Sequence, residues 1–406
     1  MDKKKICVVV NSRANYGRIK SFLAAVQKHP DLELQLIVGA SAMLYRFGSV
    51  VDTIRRDGFE PVSVVYSIVE GETTSTMAKS TGLGILELAT QFENLKPDVV
   101  LTVADRFETL ATAVAASYMN IPVAHTQGGE LTGSIDESVR HAITKLSHIH
   151  FPATRRAAAI LEQMGENPEN IFLTGCPAMD LAAEACRQDC GNLFQKYGGT
   201  GKPLNWDEPF MVILQHPVTT EYNMAFEQTK LTLEAVKRTG MQAVWFWPNV
   251  DAGSDAVSKA LRMFISKNSN APFHFYRNFS PEDYVHLIKR CACIVGNSSS
   301  GIREGSFLGT PCVNIGSRQN RRERAENVVD VDHDEAAIYQ AVMNQVKHGP
   351  YPSSPLYGDG LAGERMADIL ARQLIDVHKK FYIFSAEQDA NFPVQHSFRE
   401  RSNDKG

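Results

Sequence analysis

Residues 121–151 read IPVAHTQGGELTGSIDESVRHAITKLSHIHF and place a strand, a glycine turn and a helix in succession. The apolar run 121–124 predicts a buried strand. Ser134 followed three residues later by Glu137 is a capping-box pattern, which predicts that a helix starts immediately after Ser134. The glycine pair at 128–129 allows a sharp turn and a close approach of the backbone to a ligand. This strand, turn and helix form the repeating unit of an α/β fold.

The same turn concentrates polar side chains at the carboxyl end of the predicted strand. Gln127, Glu130 and Thr132 lie between strand and helix, and Asp136 lies in the first helical turn. Helix N-termini favour anions, and open α/β sheets bind ligands at the carboxyl ends of their strands. We therefore predict the active site here. The alternative is a capped surface helix that follows an ordinary turn.

The composition excludes several classes of protein. With 406 residues the chain is too long for one core and suits two domains. A hydrophobic content of 43%, a charged content of 22% and a net charge of −4 give no reason to expect a nucleic-acid or membrane partner. The N-terminal sequence MDKKKICVVV lacks the features of a signal peptide, and no apolar run is long enough for a membrane helix. We expect a cytoplasmic protein.

The seven cysteines give no sign of a disulfide framework or a metal centre. Their number is odd and they are scattered over a long chain. Cys186 and Cys190 are four residues apart, but no second ligand pair lies near them. We therefore predict free thiols and no metal.

Strand-like runs alternate with helix-like segments in two successive series. The predicted strands are 5–11, 33–39, 62–65, 98–103, 121–124 and 171–175 in the first series, and 210–214, 240–247, 273–276, 293–295 and 311–315 in the second. The predicted helices include 19–27, 41–57, 73–95, 106–119 and 302–308. This alternation predicts an α/β protein with two doubly wound, Rossmann-like domains and a cleft between them.

The domain boundaries follow from these series. We predict a first domain at 1–180 and a second at 181–360, with an interdomain connection or an exposed excursion at about 185–208. Residues 361–382 hold a final amphipathic helix, predicted at 364–381. The remaining residues, 383–406, form a polar tail.

Several other strand ends carry candidate site residues. Arg13 follows the first strand, in a turn suited to an anion. Asp105 follows the strand at 98–103, where it is either a helix N-cap or a catalytic acid or base. A run of small residues, Ser298, Ser299, Ser300 and Gly301, opens the helix that contains Glu304, and such runs can cradle phosphate. The arginines at 318–324 are typical of a solvated face, although one or two, such as Arg321, could hold a diphosphate.

The segments HTQGGELTGSIDESVRHAITKLSHIHF, LQHPVTTE and GNSSSGIREGSFLGTPCVNIGSRQNRRERAENV together resemble the UDP-N-acetylglucosamine 2-epimerase family. The resemblance runs over about 5–380 and is strongest to the hydrolysing branch, which supplies N-acetylmannosamine for sialic and nonulosonic acids. It implies a GT-B fold whose C-terminal helix crosses back to the first domain. It also implies a UDP-sugar substrate in the cleft and chemistry without a metal or redox cofactor.

The resemblance implies that a base removes the C2 proton while UDP leaves C1, and that water then adds to the resulting 2-acetamidoglucal. The catalytic candidates are Asp105, Glu130, Asp136 and His216. The substrate-binding candidates are Arg13, Gln127, Arg140, Phe279 (for uracil), Ser298, Ser299, Ser300, Gly301, Glu304 (for ribose) and Arg321. Family members commonly self-associate, so a homodimer or homotetramer is expected.

Two positions depart from the family pattern. Ala104 replaces the glycine before Asp105, and Gln127 replaces a glutamate found in many relatives. Since glutamine cannot act as a general base, proton transfer must fall to Asp105, Glu130 or Asp136.

Four alternatives remain open from the sequence. They are a hydrolysing epimerase of a UDP-linked 2,4-diacetamido-trideoxyhexose of the legionaminic acid type, a non-hydrolysing epimerase, a GT-B glycosyltransferase and an inactive sensor of nucleotide sugars. The glycosyltransferase would need an acceptor site that the sequence does not reveal.

Overall fold

In a computed structural model, which describes residues 2–45, 48–71, 73–187, 190–248 and 251–383, helices and strands alternate in two series. The first series comprises β1 (Lys4–Val10), α1 (Arg13–Gly17), α2 (Lys20–Lys28), β2 (Leu32–Gly39), α3 (Val50–Arg56), β3 (Ser63–Val65), α4 (Thr74–Leu95), β4 (Val99–Val103), α5 (Phe107–Tyr118), β5 (Val123–Thr126), α6 (Ile135–Leu146), β6 (Ile149–Phe151) and α7 (Arg155–Gln163). Its strands are parallel, in the order β3-β2-β1-β4-β5-β6.

The second series builds a larger sheet. It comprises α8 (Ala178–Ala185), α9 (Leu193–Lys196), β7 (Thr200–Gly201), β8 (Phe210–Leu214), α10 (Ala225–Arg238), β9 (Gln242–Phe246), α11 (Ser254–Lys267), β10 (Phe273–Tyr276), α12 (Pro281–Arg290), β11 (Cys293–Gly296), α13 (Ser299–Ile302), α14 (Glu304–Leu308), β12 (Cys312–Ile315), β13 (Val328–Val331) and α15 (Glu335–His348). The strand order is β13-β12-β11-β8-β9-β10-β7, and β7 pairs antiparallel with β10. The chain continues to α16 (Ala362–Arg372).

The order of the strands indicates where in each sheet a ligand would bind. The central strands β1 and β8 are apolar and nearly fully buried, as expected for strands covered on both faces. Strand order reverses between β1 and β4 in one sheet and between β8 and β11 in the other. Ligands bind beyond the carboxyl ends of strands at such reversals. Arg13 and Asp105 follow the first pair of strands, and His216 and Ser298 follow the second.

The helix α16 returns to the first series and packs on α2. Met366 and Leu370 belong to the core around β1, and the backbone N–H groups of Ala362 and Gly363 donate to the Asp180 carboxylate at 2.9 and 2.7 Å. The helix is shorter than the predicted 364–381. It ends at Arg372, where Lys4 Nζ donates to the carbonyl groups of residues 370 and 373.

Other sequence predictions need correction. The predicted strand at 171–175 is a single bridge between Ile171 and His150. The predicted helix at 41–57 is a short 3-10 turn, Ala40–Met43, followed by α3, and residues 46–47 lie outside the described residues. The connection at 185–208 contributes α9 and β7.

Several other elements, including β6, β13 and α15, were not predicted. The side chains of β13 are half-buried or exposed, so this edge strand lacks the continuous apolar run of its neighbours. The predicted tail beyond residue 383 lies outside the described residues, and the boundary at residue 180 stays a prediction.

We predict that Gly363→Ala weakens the docking of α16. An added Cβ would lie 2.7 Å from the backbone nitrogen of Phe22 and 2.8 Å from the carbonyl carbon of Ser21. The free energy of unfolding should fall by about 1–3 kcal/mol, because the backbones must separate. Gly198→Ala is the control, since its added Cβ meets no atom within 4 Å. Denaturant unfolding measures both variants, and equal stabilities would contradict this close packing.

Candidate functional site

A cavity lies between the carboxyl ends of the two sheets. Both series contribute to its lining, which comprises Arg13, Ala14, Gly17, Arg18, Ala178, Leu181, Leu214, His216, Phe246, Asn278, Phe279, Pro281, Tyr284, Val285, Ser298, Ser299, Ser300 and Glu304. Seven predicted site residues are among them. Gly301 lies behind this wall, where an added Cβ would be 2.5 Å from Cys312 Sγ, so it allows α13 to pack on β12.

One part of the cavity is suited to phosphate. Ser298 caps α13, and its Oγ accepts from the Ser300 N–H at 3.4 Å. Arg18 reaches across from the first series and donates to Ser299 Oγ at 2.6 Å. Arg13 crosses in the same way to the carbonyl oxygen of Arg277 at 2.5 Å. Hydroxyl and guanidinium groups therefore converge from both series, and guanidinium groups match the geometry of phosphate oxygens.

An aromatic wall forms another part of the cavity. Phe279 stacks on Tyr197, with ring centroids 4.0 Å apart, and meets Phe246 edge to face at 5.3 Å. Tyr197 thus covers one face of the Phe279 ring. Together Phe246 and Phe279 offer apolar surface to a flat group such as a nucleobase.

Asp105 is held by arginines and does not cap a helix. The N-cap of α5 is Arg106, which makes no side-chain cap bond, whereas the Asp105 carboxylate pairs with the Arg140 guanidinium. Burial alone would raise the pKa of Asp105, but Arg140, Arg18 and Arg322 hold it well below its usual range. This carboxylate is therefore ionised at neutral pH.

The residue before Asp105 has an unusual backbone conformation. Ala104 has a φ of 64°, in the left-handed region that favours glycine. Its carbonyl oxygen lies 2.7 Å from Nε2 of the buried His125. Burial lowers the pKa of His125 to about 3, so the ring is neutral. This conformation explains why glycine suits the position. Alanine adopts the left-handed conformation with an unfavourable conformational energy of about 1–2 kcal/mol.

Glu130 and Gln127 lie outside the cavity lining, in the contact between the two series. Arg303 donates to Glu130 at 2.5 Å, and Arg322 pairs with the same carboxylate oxygen. Burial would raise the pKa of Glu130, but Arg303, Arg322 and Arg140 lower it. Gln127 accepts from Arg303 and donates to Cys176 Sγ at 3.4 Å. The structure thus pairs Glu130 with arginines instead of leaving it open to a ligand.

Asp136 has the opposite electrostatic setting to Asp105. Burial and the nearby Asp105 and Asp251 carboxylates raise its pKa, while Arg318, whose guanidinium is 3.9 Å away, opposes this shift. The predicted helix start at Ile135 is confirmed. The predicted capping box is incomplete, however, because Glu137 accepts from the Thr132 N–H at 2.6 Å.

His216 lines the cavity as a neutral group. Its backbone N–H donates to Asn297 Oδ1 at 2.8 Å. Burial and the nearby guanidinium groups of Arg318, Arg13 and Arg106 hold its pKa well below the usual value. It can exchange hydrogen bonds with a ligand but supplies no positive charge.

The two remaining arginine predictions have different outcomes. Arg140 is completely buried, forms an ion pair with Asp105 and donates a hydrogen bond to the carbonyl oxygen of Glu130. It therefore positions these acidic residues and does not line the cavity. The side chain of Arg321 is 65% exposed and pairs with Glu137, and the structure does not bring it to the cavity. Its neighbour Arg322 is the buried arginine of this cluster.

Sequence reasoning missed four charged residues of this region: Arg18, Asp251, Arg303 and Arg322. The Arg106 guanidinium lies 2.9 Å from Asp251 and so links the two series. Arg303 stands between two short helices, α13 and α14, directly before Glu304, and its place beside the predicted serine run was the available signal.

Neither a metal centre nor a membrane segment is evident in the described parts of the chain. Within them, no group of three or more His, Cys, Asp or Glu side chains could hold a metal ion. None of the helices found there has the length and apolar character to cross a membrane.

Comparisons with known proteins agree on one family. A family model described as UDP-N-acetylglucosamine 2-epimerase matches residues 24–371. A hydrolysing UDP-N,N'-diacetylbacillosamine 2-epimerase of Legionella pneumophila is 33% identical over 369 residues, which cover 90% of this chain and 95% of that protein. A UDP-N-acetylglucosamine 2-epimerase of Neisseria meningitidis serogroup B is 30% identical over 370 residues, with coverage of 90% and 95%.

Solved structures agree on the fold. A Methanocaldococcus jannaschii UDP-N-acetylglucosamine 2-epimerase, in complex with UDP-N-acetylglucosamine and UDP, superposes with a TM-score of 0.77 at 18% identity. The superposition covers 91% of this chain and all of that one. The predicted fold class, two Rossmann-like domains of the GT-B type, is confirmed.

We predict that Arg140→Met strongly destabilises the protein. It leaves the buried Asp105 carboxylate without its ion-pair partner, and such a change lowers the free energy of unfolding by about 3–5 kcal/mol. Arg372→Met is the control, because the Arg372 side chain is 82% exposed and lies 3.9 Å from Asp368. Its effect should stay within about 0.5 kcal/mol. Thermal and denaturant unfolding measure both, and a tolerated Arg140→Met would contradict the ion-paired state of Asp105.

Proposed function

Because the chain belongs to the UDP-N-acetylglucosamine 2-epimerase family, we propose that it is a hydrolysing 2-epimerase that converts UDP-N-acetylglucosamine and water to N-acetylmannosamine and UDP. The observation that carries the proposal is the cavity between the two domains. It joins hydroxyl and guanidinium groups to an aromatic wall. Asp105 and Asp136 are not among its lining residues, but the lining Arg18 acts electrostatically on the Asp105 carboxylate, and Asp105 acts in turn on Asp136. A cytoplasmic location and a homodimeric or homotetrameric state belong to the same proposal.

The cavity lining suits each part of UDP. The diphosphate would lie against Arg13, Arg18, Ser299 and Ser300, where guanidinium and hydroxyl groups converge. The uracil would lie against the aromatic wall that contains Phe279.

Glu304 would bind the ribose. Its Oε2 atom is buried and has no hydrogen-bond partner among the described residues. A buried acceptor without a partner is unfavourable, and a ribose hydroxyl would supply the missing donor.

The directions of the pKa shifts support a division of the proton chemistry between two carboxylates. Asp136, whose pKa is raised, is the better base and would take the C2 proton as the C1–O bond to UDP breaks. Asp105 stays ionised and would stabilise positive charge that develops at the anomeric carbon. Water then adds its oxygen to C1 of the 2-acetamidoglucal. A solvent proton enters C2 on the face opposite to the one that lost the original proton, which gives the manno configuration. The products are N-acetylmannosamine and UDP.

A second candidate substrate has support from the relatives. Two of them are named as hydrolysing 2-epimerases of N,N'-diacetylbacillosamine nucleotides, the Legionella pneumophila protein and one from Campylobacter jejuni that is 31% identical over 81% of this chain. The candidate is a UDP-linked 2,4-diacetamido-2,4,6-trideoxyhexose. The same carboxylates would act at C2, since the two sugars differ at C4 and C6.

We predict that turnover of UDP-N-acetylglucosamine in deuterated water gives free N-acetylmannosamine with deuterium at C2. The proton removed from C2 is replaced from solvent, so mass spectrometry or NMR of the released sugar detects the exchange. Parallel reactions with the diacetamido nucleotide sugar decide the substrate. Turnover of that analogue alone would select the second candidate. Absence of free sugar from both would contradict hydrolytic epimerisation.

We predict that Asp136→Asn lowers kcat by about 10²–10⁴-fold, the usual effect of losing a general base. Asp105→Asn should lower it by about 10²–10³-fold through lost electrostatic stabilisation. Asp368→Asn is the matched control, because the Asp368 side chain is 56% exposed and does not line the cavity. Near-normal kcat in both site variants would contradict the assignment.

We also predict an acid limb in the pH dependence of kcat. A base must be ionised, so activity falls as pH decreases through the pKa of Asp136. Because that pKa is raised, the limb should lie above the ordinary value of 3.8. Asp136→Asn should remove it. If the limb persists in that variant, another group is the base.

A further inference from the structure

The backbones of the two domains touch beside the site. The Gly133 N–H, in the loop before α6, donates to the carbonyl oxygen of Arg318 at 3.1 Å. A Cβ added to Gly133 would lie 1.9 Å from the carbonyl oxygen of Ser317. Any larger residue at this position would require the two backbones to move apart.

Glu130 lies in the same loop and is bound by the opposite domain. Its Oε2 atom accepts from Arg303 at 2.5 Å and from Arg322, both of the second domain. Its side chain is only 3% exposed, and Oε1 has no hydrogen-bond partner among the described residues. This carboxylate is therefore committed to a contact between domains and does not line the cavity.

Arg303 connects this contact to the proposed nucleotide site. It follows α13, which begins with Ser299 and Ser300, and it precedes Glu304 at the start of α14. All three of these residues line the cavity. The position of the Arg303 guanidinium therefore fixes the cavity wall relative to the loop that leads to Asp136.

We propose that Glu130 is a positioning residue: its pairing with Arg303 and Arg322 holds the cleft closed and sets the nucleotide site against Asp136. In the closed form three charges are removed from water and partly neutralise each other. When the domains separate, both arginines become hydrated and need no partner. Loss of the carboxylate therefore disfavours only the closed form, and the equilibrium shifts towards the open one. The expected effect on kcat rests on the proposed function, whereas the expected effect on closure of the cleft does not.

Two variants weaken the contact by different means. Glu130→Gln removes the charge and keeps the shape. Gly133→Ala keeps every charge and introduces a steric clash. Gly82→Ala is the matched control for the second variant, because Gly82 lies on α4 and its added Cβ meets no atom within 4 Å. Glu130→Asp restores the charge on a shorter side chain.

The experiment combines small-angle X-ray scattering, with and without UDP, and steady-state kinetics on the full chain. With UDP, the wild type and Gly82→Ala should have the smaller radius of gyration, while Glu130→Gln and Gly133→Ala should remain expanded. The kcat of Glu130→Gln and of Gly133→Ala should fall by about 100-fold, the effect of misplacing reacting groups by about 1 Å. The acid limb of the pH profile should be unchanged, and Glu130→Asp should recover part of kcat.

Other outcomes would overturn the inference. If Glu130→Gln closes with UDP as the wild type does but loses the acid limb, Glu130 takes part in the proton chemistry. If Gly133→Ala keeps wild-type kcat and radius of gyration, the contact is not needed. Failure of the proposed function is distinguishable, because the wild type would then release no free sugar while UDP-dependent closure still differed between the variants.

Discussion

The carboxylates of Asp105 and Glu130 lie where water is almost excluded, and each is accompanied by guanidinium groups. An isolated buried charge is too unfavourable to persist, so the positions of these arginines are constrained by the acids they neutralise. Arg140 belongs to the first domain, whereas Arg303 and Arg322 belong to the second. The negative charge of Glu130 in the first domain is therefore neutralised by arginines of the second domain. The two domains thus share one cluster of buried charges.

Within this shared cluster, the pKa values of two neighbouring acids, Asp105 and Asp136, shift in opposite directions. Asp105 has three guanidinium groups acting on it, and its pKa is lowered. Asp136 has the Asp105 and Asp251 carboxylates acting on it, and its pKa is raised. A pair of carboxylates whose pKa values are driven apart can hold one fixed charge and move one proton. That division is what the proposed elimination requires, because one group must accept the C2 proton while charge develops at the neighbouring carbon.

The sequence was sufficient for the features that depend on local patterns. Apolar runs and glycine turns predicted most of both sheets, strand ends identified Arg13 and the serine run of the cavity lining, and the family resemblance added His216. It was insufficient where the outcome depends on distant parts of the chain. The partner of Asp105 is 35 residues away and that of Glu130 is 173 residues away. No local pattern distinguishes the buried Arg322 from the exposed Arg321.

The same dependence on distant partners gives Gln127 a physical interpretation. Its amide oxygen accepts from Arg303, the arginine that also donates to Glu130. A glutamate at this position would place a second carboxylate beside the same guanidinium, and the two would compete for its donors. With glutamine, Arg303 keeps its charge for Glu130 while Gln127 still receives a hydrogen bond. The substitution therefore removes a base from a buried place beside Arg303 and leaves the contact between the domains fully charged. In this chain the proton chemistry can reside in the first turn of α6, at Asp136, without any carboxylate at residue 127.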